Sequence, residues 1–144
     1  MRILALDVGE RRIGVAAADE RTRVAVPLAA LTVAGDPVDL IARLVDEQQA
    51  GALIVGLPLS LSGALGPQAQ RVQAIVQALE RRLSVPVRTW DERLSTVEAG
   101  RRRPAGSRHR SAPGQRRARR SGQQDSLAAA IILQAYLDST RPSP

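Results

Sequence analysis

The sequence predicts an α/β domain: a mixed five-stranded sheet, three antiparallel strands followed by parallel ones, with helices on its faces. Three observations point to it. Three short apolar runs precede any helical pattern, helix and strand patterns then alternate, and a nearly all-apolar segment long enough for a buried helix comes last. With 144 residues and 44% hydrophobic composition, the chain fits a single domain over residues 1–144 with a core of ordinary size.

Arg2 to Asp7 and Arg12 to Ala18 are the first two strands, and "VGERR" between them suits a hairpin whose turn uses Gly9 for an unusual backbone angle. Val24 to Val33 is the third, with Pro27 favouring an edge or a bulge. In "GDPVDLIARLVDEQQAG", Asp36 is the N-cap of a helix, Pro37 its first residue and Gly51 its C-terminal stop. Ala52 to Pro58 is a buried strand leading into the loop "LSLSGALG". Val72, Ile75, Val76, Leu79 and Leu83 then line one face of a second helix. "VPVRTW" is the fifth strand. Ser95 and Glu98 have capping-box spacing for a short helix before Pro104. Residues from about 100 to 124 lack periodicity and read as a flexible basic loop; "DSLAAAIILQAYLD" is the last helix, and a disordered tail is expected from about 139 to 144.

Composition narrows the chemistry. There is no cysteine and only one histidine, His109, so neither a disulfide framework nor a zinc site is expected. No uncharged apolar run reaches 18 residues and no leader pattern is present, so the expected location is the cytoplasm, away from the membrane. All 21 basic residues are arginine. Nine of them (Arg101, Arg102, Arg103, Arg108, Arg110, Arg116, Arg117, Arg119 and Arg120) fall between Gly100 and Gln123, a segment without an acid. The remaining 12 arginines face 14 acids, so the net charge of +7 belongs to one segment. A mildly acidic body with one basic arm predicts a polyanionic partner, nucleic acid. Trp90 and Tyr136 are the only aromatics, too few for a base-stacking platform.

Carboxylates stand where apolar elements end: Asp7 on the first strand, Asp91 and Glu92 past the fifth, and Asp125 at the start of the last helix. If the first and fifth strands are neighbours and the last helix packs on them, these acids converge. Two carboxylates ~4 Å apart repel by about 4 kcal/mol at an effective dielectric near 20, so such a cluster needs a cation. Oxygen-only ligands suit Mg²⁺ or Mn²⁺, and two such ions about 3.5–4 Å apart activate water and stabilise the leaving oxygen in phosphodiester cleavage. Each acid also has a plainer reading: Asp7 paired with Arg11 or Arg12, Asp91 and Glu92 in a solvated turn, Asp125 as an N-cap. Gly56, Pro58, Gly63 and Gly66 form a candidate phosphate loop or an ordinary strand-to-helix connection. Gly9 and Gly14 belong with these as structural glycines.

"ALDVGERRIGVAAAD", "IVGLPLSLSGALG", "WDERLSTVEA" and "DSLAAAIILQAYLD" resemble, in order, the four signature blocks of the YqgF family, bacterial relatives of RuvC-type resolvases in the ribonuclease H-like superfamily. The resemblance covers residues 3–100 and 125–138. It implies a ribonuclease H-like fold and a metal-dependent nuclease that processes the 5′ end of pre-16S ribosomal RNA or resolves Holliday junctions. It also implies that Asp7, Asp91, Glu92 and Asp125 are the catalytic and metal-holding acids and that Arg93 is a phosphate or transition-state ligand. In an extended strand Asp91 and Glu92 point to opposite faces, so one of the two is the direct ligand. With Arg93, Arg11 and Arg12 and the nine arginines of the basic segment are the expected nucleic-acid contacts. A monomer suffices for trimming an RNA end, whereas two equivalent cuts in a junction call for a dimer. Two readings from other classes stand beside this one. A non-catalytic nucleic-acid-binding module would keep the fold. An actin-like ATPase also uses an Asp-x-Gly turn, but needs a second such domain.

Overall fold

The computed structural model describes residues 1–95 and 123–140. The strands are β1 (Arg2–Val8), β2 (Arg12–Asp19), β3 (Val26–Thr32), β4 (Ala50–Leu57) and β5 (Val87–Asp91), and the helices are α1 (Pro37–Glu47), α2 (Pro67–Arg82) and α3 (Asp125–Ser139). They form one sheet in the order β3-β2-β1-β4-β5. The β1–β2 and β2–β3 pairs are antiparallel; β1–β4 and β4–β5 are parallel. The predicted mixed sheet is therefore present, but β4 lies between β1 and β5. The first and fifth strands are not neighbours, because the crossover through α1 returns the chain beside β1 first.

Alternation along each strand sorts its side chains between two cores. Leu4, Leu6 and Val8 of β1, Ile13 and Val15 of β2 and Leu53 and Val55 of β4 pack against Ile41, Leu44 and Val45 of α1 and Val72, Ile75, Val76 and Leu79 of α2. On the other face Ile3, Ala5, Ala16, Ala18 and Ile54 pack against Ala129, Ile132, Leu133 and Leu137 of α3. Trp90 and Tyr136 meet edge to face there, with ring centroids 6.0 Å apart. Arg23 caps the C-terminal end of α3 by donating to the carbonyls of Leu137 and Thr140.

Asp36 caps α1 as expected, accepting from the Val38 N–H at 2.9 Å, with Pro37 next. The stop differs. The helix ends at Glu47, and the chain reverses at Gln49, whose φ is 51°. Gly51 already belongs to β4, where an added Cβ would overlap the side chain of Met1. Leu83 lies just past the end of α2 yet still packs on the core. Gly9 does not take a left-handed angle either; it is needed for space, since a Cβ would stand 2.8 Å from the carbonyl oxygen of Arg12, which accepts from the Gly9 N–H. The helical turn after β5 begins at Glu92, three residues before Ser95. Ser95 is buried and its hydroxyl accepts from the Trp90 indole at 2.9 Å, while Glu98 lies outside the described residues. Ser139, placed in the expected tail, is the last residue of α3. Of the expected loop over about 100–124, residues 100–122 lie outside the described residues, as does the tail over 141–144, whereas residues 123 and 124 are helical and lead into α3. Among the described residues no helix is long and apolar enough to cross a membrane.

Candidate active site

Asp7 follows Ile3 and Ala5 on the α3 face of β1, near the strand's C-terminal end. In an ordinary sheet its neighbours would be bulky β-formers. Here its partner on β2 is Gly14, and the β4 residue after the Leu6–Val55 pair is Gly56. Each glycine admits an acid. At Gly14 an added Cβ would overlap the main-chain carbonyl of Asp125, so the first turn of α3 rests directly on the strand. The Ser126 hydroxyl, itself buried, accepts from the Val15 N–H at 3.3 Å and fixes that contact. At Gly56 a Cβ would lie 2.7 Å from Ile132 Cδ1 and 2.8 Å from Glu92 Oε2. Glu92 therefore reaches Asp7 over the bare backbone of β4, which is how acids from non-adjacent strands meet.

Their contacts separate the two acids at the end of β5. Glu92 stands over Gly56 beside Ile132, on the α3 face where Trp90 packs, whereas Asp91 is taken up by Arg93. Burial, the charge and hydrogen bond of Asp7, and the charge of Asp91 together push the Glu92 carboxyl up to about 7. Burial and the charge of Asp125 also raise Asp7, while the hydrogen bond with Glu92 pulls it back. The two carboxyls thus hold on to protons more strongly than isolated acids do, because each is partly buried and faces another negative group.

Asp125 is the first residue of α3, with Gln124 rather than Asp125 at the cap, and its carboxylate accepts from Arg12 Nε at 3.1 Å. Asp91 accepts from the Arg93 main-chain N–H and from Nε at 3.0 Å and Nη2 at 2.6 Å, and these bonds hold its carboxyl below the usual range. With Arg12 on Asp125 and Arg93 on Asp91, no three acids among the described residues form a ready-made cage for an ion. The donor set nevertheless fits a hard divalent cation. It is carboxylate oxygen only, and burial with the neighbouring negative charges raises both the Asp7 and the Glu92 carboxyl above their ordinary values, which a cation would offset.

Arg11 is exposed, and its main-chain carbonyl accepts from Val33. The nine arginines from Arg101 to Arg120 lie outside the described residues. Gly66 caps α2 ahead of Pro67, and the first turns of that helix are tied to the β1–β2 turn: Gln68 donates to the Val8 carbonyl at 3.0 Å and Arg71 to the Gly9 carbonyl at 3.3 Å. Pro58 and Gly63 lie in the connection beside Arg93. A cavity of about 560 Å³ between the ends of α1 and α2, lined by Arg43, Asp46 and Arg82 among others, opens at the opposite ends of the strands and does not touch the acids. Sequence reasoning missed the roles of Gly14, Gly56 and Ser126. The signal was a glycine inside the apolar run "RIGVAAAD" and another closing "ALIVG", each the mark of a close approach.

A five-stranded sheet in this order, with an acid on its central strand and a helix bringing another, defines a ribonuclease H-like domain. The solved structures of *Thermus thermophilus* RuvC (TM-score 0.57, 13% identity, 96% of this chain and 95% of that one) and the fowlpox virus Holliday junction resolvase (TM-score 0.55, 12% identity, 97% and 100%) share this fold. The model of the RuvX family, described as Holliday junction resolvase, matches residues 1–139, and the chain belongs to that family, the YqgF family of the sequence resemblance. It is a nuclease, a hydrolase of phosphodiester bonds. Relatives named "Putative pre-16S rRNA nuclease" include one from *Chloroflexus aurantiacus*, 45% identical over 99% of this chain and 90% of its own length. Another, from *Thermoanaerobacter pseudethanolicus*, is 41% identical over 98% and 99%.

Proposed function

We propose that the chain is a divalent-metal-dependent nuclease that processes the 5′ end of pre-16S ribosomal RNA in the cytoplasm, with Asp7, Glu92 and Asp125 as its working acids. The observation that carries the reading is the close approach at Gly14 and Gly56, which brings the first turn of α3 with Asp125 and the Glu92 carboxylate onto the strands beside Asp7, three acids whose mutual repulsion a cation relieves. The RNA substrate rests on the names of relatives more than 40% identical over nearly the whole of both chains. Resolution of four-way DNA junctions is the second reading, favoured by the description of the family.

Mg²⁺ or Mn²⁺, one ion or two, would be held by Asp7, Glu92 and Asp125, and when bound supplies Lewis-acid activation of water and stabilises charge at the phosphate. Glu92 would have to be ionised to hold the cation, so a bound ion would favour its charged form. Arg12 holds Asp125 toward β2 and keeps its charge compensated until then. Arg101 to Arg120 grip the phosphate backbone, which positions the strand without reading its sequence. Trimming one end requires a single site, so a monomer is sufficient.

Mg²⁺-dependent cleavage of matched RNA 5′ ends and four-way junctions tests this. Wild type is expected to cut the RNA end. Asp7→Asn should slow cleavage by at least ~10³-fold, about 4 kcal/mol of barrier, with binding unchanged or tighter. Preserved cleavage in Asp7→Asn would remove that residue from the chemistry, and cutting confined to junctions would favour the second reading. Deleting residues 101–120 should flatten the log–log salt dependence of binding by roughly 4 if about five arginines touch phosphates. An unchanged slope would assign the grip to another surface.

A further inference from the structure

The resemblance casts Arg93 as a ligand of the substrate's phosphate, but its guanidinium is already engaged on two sides. Nε and Nη2 grip the Asp91 carboxylate, and Nη1 donates to the Leu61 carbonyl at 3.3 Å. Leu61 belongs to a closed turn in the β4–α2 connection. The Gly63 N–H donates to the Ser60 carbonyl at 2.8 Å, the Ala64 N–H to the Ser60 hydroxyl at 3.2 Å, and the Ser60 N–H to the Ala64 carbonyl at 3.2 Å. Gly63 has a φ of 85°, and its Cα side faces the guanidinium, where an added Cβ would stand 3.4 Å from Nη1. Asp91 in turn caps the helical turn that starts at Glu92, accepting from the Arg93 N–H at 3.0 Å.

We propose that Arg93 is a positioning residue: with Asp91 it forms a latch that fastens the 58–66 connection to the end of β5 and fixes the direction from which Glu92 reaches Asp7. The bidentate pair sets the angle of the Glu92 turn, and the bond to Leu61 closes the neighbouring wall of the site. Leu61 itself is 95% exposed at the tip of the held turn. In this arrangement both charged neighbours of Glu92 in "DER" act on the backbone that carries it, Asp91 through the Arg93 N–H and Arg93 through the Asp91 carboxylate. A planar fork makes the latch, and the point charge of lysine cannot replace it. The catalytic consequence rests on the nuclease reading given above; the latch itself does not.

Four variants separate the two roles: Asp91→Asn, Arg93→Gln, Arg93→Lys and the Asp91→Asn/Arg93→Gln double. Amide hydrogen exchange over residues 59–64 reads the latch without any substrate. Faster exchange in all four, with the double no faster than the singles, is the expected result; wild-type protection in Arg93→Gln would overturn the latch whatever the enzyme cuts. In Mg²⁺-dependent cleavage, kcat should fall about tenfold in each variant, KM should stay within about twofold, and Arg93→Lys should not rescue. The log–log salt slope of binding should be unchanged. A slope smaller by about 0.9 in Arg93→Gln alone, restored by Arg93→Lys, would return Arg93 to the phosphate and overturn the proposal. Asparagine still caps a helix, so Asp91→Asn keeps the fold on which these readouts depend.

Discussion

The two faces of the sheet are built from the same strands and do opposite things. Toward α1 and α2 the strands present Leu4, Leu6, Val8, Ile13, Val15, Leu53 and Val55, an unbroken aliphatic layer under two helices. Toward α3, beside Ile3 and Ile54, they present Ala5, Gly14, Ala16, Ala18 and Gly56, small residues that let one helix and one carboxylate come down onto bare backbone. Large side chains exclude water and stabilise, whereas small ones leave room in which acids can be brought together and partly buried. Parity thus puts the acids on the face with the smaller strand residues, where α3 supplies Ile132, Leu133 and Leu137 to complete a second core.

Breaking the site face should have the largest effect. Gly14→Ala inserts a methyl where the Asp125 carbonyl sits, and neither backbone can yield cheaply; cleavage should fall by ~10²-fold or more and stability by about 1–3 kcal/mol. If Gly14→Ala retains wild-type kcat, the close approach of α3 is not what places Asp125. The opposite face should show the reverse pattern. Leu53→Ala, at a fully buried position, should cost about 2–5 kcal/mol in denaturant melts yet leave kcat of the folded protein within about threefold. A large loss of kcat there would mean that the two faces are not separable.

The smallest effect sharpens the electrostatic side of the comparison. In metal-free protein the folded state holds the Glu92 proton up to about 7, whereas the unfolded chain releases it near 4.5. The stability this group contributes is therefore complete below about pH 4.5 and is lost as pH rises through about 7. Thermal melts in chelator should show wild type losing ground to Glu92→Gln between pH 5 and 7.5. Solvent screening of the partly exposed carboxyl brings the difference to the order of 1 kcal/mol, about 2–4 °C. Parallel curves for the two proteins would show that Glu92 ionises as it does in water.

Much of the fold follows from local pattern. The apolar runs marked the five strands to within a few residues, Asp36 and Pro37 marked the start of α1, and the spacing of Val72 to Leu79 marked the buried face of α2. Ends were harder to read wherever a distant contact overrode the local signal. Gly51 looked like a helix stop and instead makes room for Met1, and Gly9 looked like a conformational glycine and instead gives way to a carbonyl. Among the candidate site residues, the types were legible but their company was not. Period-two alternation put Asp91 and Glu92 on opposite faces from sequence alone, yet which face carries α3 depends on where the crossovers run.

By itself the sequence determined the alternation of strands and helices, the carboxylates at their ends and the confinement of the positive charge to one segment, because propensity, periodicity and ionisation are properties of neighbouring residues. Tertiary structure alone decided that β4 would lie between β1 and β5, that Glu92 would cross Gly56 to Asp7, and that Arg93 would close on Asp91 and Leu61. The physical reason is that the room beside an acid is set by whatever the fold leaves out there, and a missing Cβ acquires meaning only when the chain that fills its place has arrived.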